Sequence, residues 1–336
     1  MSLTYPHPPL VIPAKAGIHR SANTALNGER ILLPCLTATR QQTQMPRNGE
    51  RRSGILMGSY QRPTDLDQGL QALAAGNLTI VAGGTDYYPA RVERPLAEDV
   101  LDITGLTALH DIEQAGDDVR IGAGVTWSRL IATRLPRCFD GLKQAAREVG
   151  GRQIQNAGTL AGNICNASPA ADGIPPLLTL DARVELASLA GTRALPLAEF
   201  VTGNRRTLRR PDELVTAVLV RPPVGPARSR FLKLGARKYL VISIVMVAGV
   251  IEEADNGTVA SARIAIGACS AVAQRLPALE AALAGRRLEP RLGALVEPDH
   301  LAGLSPIDDI RGPAAYRRDA ALIQTRRLLA QLGQGA

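Results

Sequence analysis

GGRQIQNAGTLAGNICNASPAADGIPPLLTL, residues 150–180, is the stretch on which the reading of this chain turns. Small side chains crowd it at Gly158, Ala161, Gly162, Ala167, Ser168, Ala170 and Ala171. Amide and hydroxyl groups stand among them at Gln153, Asn156, Thr159, Asn163, Asn166 and Ser168. One carboxylate, Asp172, closes the polar part before an apolar run begins. Small residues let a backbone come close to another molecule, and glycine reaches φ values that turn N–H groups toward one point. Converging amides make a nest for an anion. The stretch therefore reads as a loop that cradles a phosphate-bearing cofactor, or else as a tight connection between a helix and a strand.

The rest of the chain narrows the field. Its 336 residues suffice for two or three domains with a sizeable core. Aromatic residues make up only 3%, with a single Trp, so the core must be aliphatic and base stacking is not an evident binding mode. The net charge is +8, but residues 1–56 hold seven basic against two acidic side chains, hence five of those eight charges. What remains is an ordinary solvated surface, which argues against nucleic acid. Cys35, Cys138, Cys165 and Cys269 are far apart and form no CxxC pair, so neither zinc nor an iron–sulfur cluster has its usual spacing. That usage suits a reduced, cytoplasmic setting. No uncharged apolar run of ~18 residues suggests a membrane span.

Residues 1–56 lack sustained periodicity and read as a disordered extension, with Met57 standing at the start of the patterned chain. Leu66, Leu70 and Leu73 then recur at helical spacing behind an N-cap at Thr64 or Asp65. Residues 78–82 form a strand running into Gly83-Gly84-Thr85-Asp86, and residues 100–104 form a second. Two strands flank the turn at 115–118; residues 126–135 and 141–149 are helical. A hairpin turns at 189–191, and the strand beginning near Asp212 ends at Pro222-Pro223-Val224-Gly225-Pro226, the best internal boundary. Beyond it, VISIVMVAGVIEE (241–253) is a buried strand or a helix followed by a strand. Asn256-Gly257 marks a hairpin, and residues 313–332 form a terminal helix. Its Arg317-Arg318 and Arg326-Arg327 pairs are expected on a solvated face.

Four stretches, in order, carry a family resemblance: TIVAGGTD (79–86), NAGTLAGNICNASPAADGIPPLLTLDA (156–182), FLKLGARKYLVISIV (231–245) and DDIRGPAAYRRDAAL (308–322). From Met57 to Leu332 the chain resembles the FAD-binding medium subunit of molybdenum hydroxylases, the carbon monoxide dehydrogenase flavoprotein and xanthine dehydrogenase FAD-domain family. The resemblance implies an α+β chain. Two α/β subdomains, about 57–112 and 113–222, would form an FAD-binding fold of the vanillyl-alcohol-oxidase (PCMH) type. A C-terminal α+β subdomain with a small antiparallel sheet would follow at 227–333.

It also implies a site. Ile80, Val81, Ala82, Gly83, Gly84, Thr85 and Asp86 would meet the FAD pyrophosphate, mostly through backbone N–H groups. Gly158, Thr159, Gly162, Asn163 and Ile164 would form a second phosphate and ribityl cradle. Asp172 matches a polar contact to the cofactor, and Leu214 and Val215 match backbone contacts near the flavin ring. Lys233 matches a lysine that approaches the ring, where a cation favours added negative charge. Arg237 and Ile242 match positions near the ring's reactive edge. Read on their own, Lys233 is an ordinary solvated strand residue and Asp172 a helix N-cap before Pro175. Two departures stand out: Asn204 occupies a place where many relatives carry an aromatic over the flavin, and Leu240-Val241 precede Ile242-Ser243 where some carry an acidic residue.

By this resemblance the chain is the FAD-binding electron-transfer subunit of a molybdenum hydroxylase. A large molybdopterin-binding subunit and a small 2Fe–2S subunit would be its partners, in a dimer of heterotrimers. Electrons would leave to NAD⁺, a quinone or oxygen. No side-chain acid or base and no metal ligand is expected here, because the flavin carries the chemistry. The competing expectation is a self-contained FAD oxidoreductase, for which His110 and His300 are poor acid–base candidates, in a turn and a loop respectively.

Overall fold

Asp65 opens the first helix of the chain, whose computed structural model describes residues 58–92 and 97–334. The expectations for residues 1–56 and for a start at Met57 lie outside the described residues. Helix α1 (Leu66–Ala75) begins where the Asp65 carboxylate accepts the N–H groups of Asp67 at 2.9 Å and Gln68 at 3.3 Å. Those donors lack partners within any first helical turn. Leu70 and Leu73 form its buried face. Three short parallel strands adjoin it: β1 (Tyr60–Gln61), β2 (Thr79–Val81) and β3 (Val100–Asp102), in the order β1-β3-β2.

The second sheet is antiparallel, with five strands in the order β4-β5-β10-β6-β7. It comprises β4 (Ile112–Ala115), β5 (Asp118–Gly122), β6 (Arg183–Ser188), β7 (Gly191–Pro196) and, after a ribbon of β8 (Val201–Gly203) and β9 (Arg206–Thr207), β10 (Leu214–Val220). Between β5 and β6 run α2 (Trp127–Ala132), α3 (Asp140–Glu148), α4 (Arg152–Ala157), α5 (Leu160–Asn166) and α6 (Ile174–Thr179); α7 (Leu197–Phe200) follows β7.

Residues 150–180 are therefore not one open loop, as the sequence suggests, but three short helices with tight breaks. Thr159 caps α5 by accepting the Gly162 N–H, and Ala167 ends it in a left-handed conformation at φ +45°. Pro175 and Pro176 sit in the first turn of α6, where a missing N–H costs no helical bond. Gly173, not Asp172, holds the N-cap position of that helix.

The C-terminal part is a four-stranded antiparallel sheet of β11 (Ala227–Leu234), β12 (Val245–Glu253), β13 (Val259–Gly267) and β14 (Gln274–Arg275), joined by α8 (Pro277–Leu283) and closed by α9 (Ala314–Gly333). Of the apolar run at 241–253, residues 241–244 lead in without regular structure and residues 245–253 form a single strand, buried from Val245 to Ile251. Both its faces are covered, by α6 and α9, which is why its residues are continuously apolar rather than alternating. A Cβ on Gly249 would lie 2.6 Å from Leu328 Cδ2, so this strand admits α9 only because a side chain is missing there.

Two cores result, one under the five-stranded sheet, aliphatic apart from Trp127, Phe139 and Phe200, and an aliphatic one between the C-terminal sheet and α9. A smaller cluster of Ala145, Phe231, Met246, Ala248 and Ala268 bridges them. Polar pins cross the same seam: Gly141 N–H donates to Ser229 Oγ at 2.8 Å, and Phe231 N–H donates to Gln144 Oε1 at 2.8 Å.

Arg317 corrects one expectation. Arg318, Arg326 and Arg327 face solvent, but Arg317 is 3% exposed. Its guanidinium donates to the carbonyls of Ile244 at 2.7 Å and Ala268 at 3.1 Å and to the Asp309 carboxylate at 2.6 Å. It thus ties the start of β12, the residue after β13 and the 305–312 loop to α9. A planar fork of donors is what such divergent acceptors require. Replacing Arg317 with Met should lower the unfolding free energy by about 2–4 kcal/mol, since a carboxylate and two carbonyls lose their partner. Arg317→Lys should recover only part of this; an unchanged denaturant midpoint in Arg317→Met would contradict the assignment.

Candidate functional site

A cavity of about 1560 Å³ gathers the C-terminal end of β2, the α4–α5 break, the start of β10 and segments of the C-terminal part. Ordinary ligand sites occupy roughly 300–1,000 Å³, so this one has room for a large ligand. Its walls come from stretches that the sequence singled out separately.

The first wall is the end of β2. Ile80, Val81, Ala82, Gly83, Gly84, Thr85 and Asp86 all line the cavity. Gly84 has φ +67°, and a Cβ there would sit 2.4 Å from the Tyr88 ring. The backbone N–H groups of Gly84, Thr85 and Asp86 have no acceptor among the described residues. Gly84 and Thr85 are half-buried and Asp86 is exposed, so these donors are open to an acceptor from outside the chain, and adjacent amides of this kind suit an anion.

The second wall is the α4–α5 break, and it touches the first. A Cβ on Gly83 would lie 1.8 Å from the Ala157 carbonyl oxygen, and one on Gly158 would lie 3.2 Å from Thr85 Oγ1. The two glycine loops, about 75 residues apart in the chain, are therefore in backbone contact. Gly158, Thr159, Gly162 and Asn163 line the cavity. Ile164 does not: its side chain is fully buried in the core. The Gly162 N–H is taken by Thr159 Oγ1 at 2.9 Å, so this amide is not free for a ligand. Asn163 Oδ1 accepts the Gly173 N–H at 3.1 Å, which turns its amide nitrogen to other use.

Asp172, Leu214 and Val215 also line the cavity. The pairing of β10 with β6 shifts register between Val215 and Ala217, a bulge that re-aims the strand at this point. Asp172 is 8% exposed; its Oδ2 accepts from Lys233 Nζ and its Oδ1 from Ser243 Oγ, both at 2.7 Å. Burial pushes the Asp172 carboxyl above its ordinary pKa, while Lys233 and Ser243 pull against that rise. Lys233 itself is absent from the cavity wall, and its side chain is 5% exposed. It is therefore not the solvated strand residue that its position in the sequence suggests. Ile242 reaches the wall, but Arg237 does not; its guanidinium donates to the Leu240 carbonyl.

Some lining residues had no signal in the sequence. Arg205 and Arg209 bring positive charge without a carboxylate partner among the described residues: Arg205 donates to Asn166 Oδ1 at 2.6 Å, and Arg209 donates to the carbonyls of Arg210 and Glu213 at 2.8 Å. Cys165 also lies on the wall, as an exposed free thiol. Asn204 lies on the wall, and the aromatic side chains there are Tyr87 and Trp127. Trp127, the one Trp of the chain, lies beneath both breaks: Cβ atoms on Gly158 and Gly173 would come within 3.4 and 2.9 Å of it. Open amides, uncompensated guanidinium groups and ample volume fit a long ligand carrying an anionic centre, as a dinucleotide does.

Comparison with known proteins gives that ligand a name. Residues 54–223 match the family described as the FAD binding domain in molybdopterin dehydrogenase. Residues 230–332 match the CO dehydrogenase flavoprotein C-terminal domain. The nicotinate dehydrogenase FAD-subunit of Eubacterium barkeri is 38% identical over 49% of this chain and 58% of that subunit. The nicotine 6-hydroxylase medium subunit of Paenarthrobacter nicotinovorans is 29% identical over 82% of this chain and 96% of its own length. The crystal structure of quinoline 2-oxidoreductase from Pseudomonas putida 86 superposes with a TM-score of 0.76 at 27% identity, covering 83% of this chain and 98% of that one. With its two-domain α+β fold, the chain belongs to the FAD-binding medium subunits of the molybdenum hydroxylases.

Proposed function

We propose that this subunit relays electrons from 2Fe–2S clusters of a partner subunit, through FAD held in the cavity, to NAD⁺ or another acceptor. The observation that carries the reading is the backbone contact between Gly83 and Ala157, which sets three open amides beside a second glycine break on one cavity. FAD, when bound, accepts electrons singly and releases them as a pair, which suits a junction between one-electron centres and a hydride acceptor.

The chain's own residues would bind and orient it. The amides of Gly84 to Asp86, with Ile80 to Gly83 behind them, meet the pyrophosphate, whose two negative charges amide dipoles and nearby guanidinium groups offset. Gly158, Thr159, Gly162 and Asn163 form the ribityl side, through the Thr159 hydroxyl and the Asn163 amide rather than the Gly162 N–H. Leu214 and Val215 present backbone toward the ring system, and Asp172 offers acceptor oxygens. The division at 222–226 would separate the FAD-binding half from the C-terminal half. A large molybdopterin-binding subunit and a small 2Fe–2S subunit complete the assembly as a dimer of heterotrimers, in the cytoplasm. No helix among the described residues is long and apolar enough to cross a membrane.

Trp127 provides a built-in probe. FAD added to the stripped chain should quench its emission to saturation at one FAD per chain; emission that FAD does not change would sink the reading. In Gly83→Ala the new Cβ must displace the Ala157 carbonyl, so FAD affinity should fall at least about tenfold, by loss of roughly one well-made contact's worth of free energy. Gly76→Ala is the control: its Cβ meets nothing within 4 Å, and FAD retention should match the parent. Equal retention in both variants would show that the two loops do not hold the cofactor together. Affinity purification should bring down large molybdenum and small iron–sulfur subunits; an active lone chain would favour a self-contained oxidoreductase.

A further inference from the structure

Thr126 caps α2 by accepting the Arg129 N–H at 3.2 Å, which puts Trp127 at the first position of that helix. The residues around it are zipped onto the α4–α5 break. Thr126 forms a bridge with Thr159, the Trp127 backbone N–H donates to the Gly158 carbonyl at 3.1 Å, and Leu160 N–H donates to that of Val125 at 3.2 Å. The indole therefore lies along the break. Its Cδ1 stands 3.4 Å from where a Cβ on Gly158 would be, and its Cη2 stands 2.9 Å from where one on Gly173 would be. It thus spans the space between the break and the turn before α6. Trp127 is 2% exposed and lies on the cavity wall. An indole N–H is a donor with no acceptor capacity, and when buried it usually finds a partner. Here it finds none among the described residues. The side-chain oxygens along the break answer other donors: Asn156 Oδ1 accepts from Ser128 Oγ, Thr159 Oγ1 from Gly162 N–H and Asn163 Oδ1 from Gly173 N–H. Nor is the nitrogen sealed in. Every fully enclosed side-chain nitrogen or oxygen among the described residues has a partner, so Nε1 keeps contact with open space, and the open space at Trp127 is the cavity.

The position of that nitrogen says which part of a ligand it meets. Nε1 is bonded to Cδ1, so it lies at the Gly158 end of the indole and not at the Gly173 end. The point where a Cβ on Gly158 would stand is also 3.2 Å from Thr85 Oγ1. The indole N–H is therefore at the junction of the two glycine loops, beside the open amides of Gly84, Thr85 and Asp86. We propose that Trp127 Nε1–H donates directly to the pyrophosphate of bound FAD, as a fourth donor beside those three amides. This rests on the FAD-binding reading above and adds to it a side chain from outside both loops. An ionised phosphate oxygen is the acceptor such a donor favours, because hydrogen bonds to charged acceptors are shorter and stronger than neutral ones. The indole is wedged between Gly158 and Gly173 before any ligand arrives, so it loses no rotamer freedom on binding. That preorganisation separates it from the exposed Arg205 side chain, which must be ordered before it can hold an anion.

Trp127 is the one Trp of the chain, so its indole gives a single signal in a proton–nitrogen spectrum of the full-length protein labelled at tryptophan. In the stripped chain that proton should exchange with solvent deuterium; at saturating FAD its exchange should slow at least about tenfold, the protection expected of one hydrogen bond to a charged group. Unchanged exchange at saturation overturns the proposal. A second measurement separates the hydrogen bond from packing. Benzothienylalanine placed at Trp127 keeps the shape of the indole and replaces its N–H with sulfur. FAD affinity of this variant, read by flavin absorbance after dialysis, should fall roughly ten- to hundredfold. One of the two phosphorus resonances of its bound FAD should also move from the parent position. Parent-like affinity overturns the proposal. A fall in affinity with both phosphorus resonances unmoved overturns it too, because the partner would then lie elsewhere on the cofactor. Trp127→Phe should lose at least as much affinity as the sulfur variant; should it not fold, the exchange measurement and the sulfur variant still decide. A parent chain that binds no FAD instead overturns the reading on which this rests.

Discussion

The missing methyl group at Gly83 is the constraint on which the site depends. Backbone atoms from the end of a parallel strand and from the end of a helix stand where any side chain would collide, 1.8 Å from the Ala157 oxygen. Close approach of this kind turns two unremarkable breaks into one continuous surface. Beside that contact, the amides of Gly84, Thr85 and Asp86 have no acceptor among the described residues. The cost of unpaired backbone donors is tolerable only where a ligand or water supplies the acceptor.

Charge is distributed around this surface in two ways. On one side, Arg205 and Arg209 donate to amide and carbonyl oxygens, so their full charge is felt by an anion in the cavity. On the other, Asp172 is neutralised from behind by Lys233. A ligand with an anionic middle and a donor-rich end is accommodated by such an arrangement, whereas a uniformly anionic one would meet Asp172 unfavourably. The seam between the two cores matters here, because Ala145, Phe231 and Met246 hold β11, and with it Lys233, against α3, the helix that ends at Glu148.

Much of the fold was legible because local chemistry was decisive. Asp65 had a helix to cap, Asn256-Gly257 had a hairpin to turn with Gly257 at φ +74°, and residues 112–122 alternated around Gly116. Where tertiary packing decides, the sequence was mute. VISIVMVAGVIEE has no period because both faces of β12 are covered. Residues 150–180 look like a loop because small side chains leave no amphipathic stripe, while Thr159, Ala167 and two prolines still punctuate three helices. Of the candidate site, the glycine loops were visible by composition together with resemblance. The resemblance also singled out Lys233, but neither its burial nor that of Arg317 was legible: a basic residue in an alternating or amphipathic segment reads as solvated, and only long-range partners, 61 residues away for Lys233 and 73 for Arg317, reveal otherwise.

Arg317 belongs to the last helix of the described chain, yet it secures the ends of two strands and the loop that wall the cavity. On a ribosome, every glycine of the two loops emerges more than 140 residues before that guanidinium does. The nest therefore exists as sequence long before the vessel around it can close. The stretch that carries the open amides and the helix that braces the far wall are thus separate parts of the chain, joined by packing and by the Arg317 guanidinium.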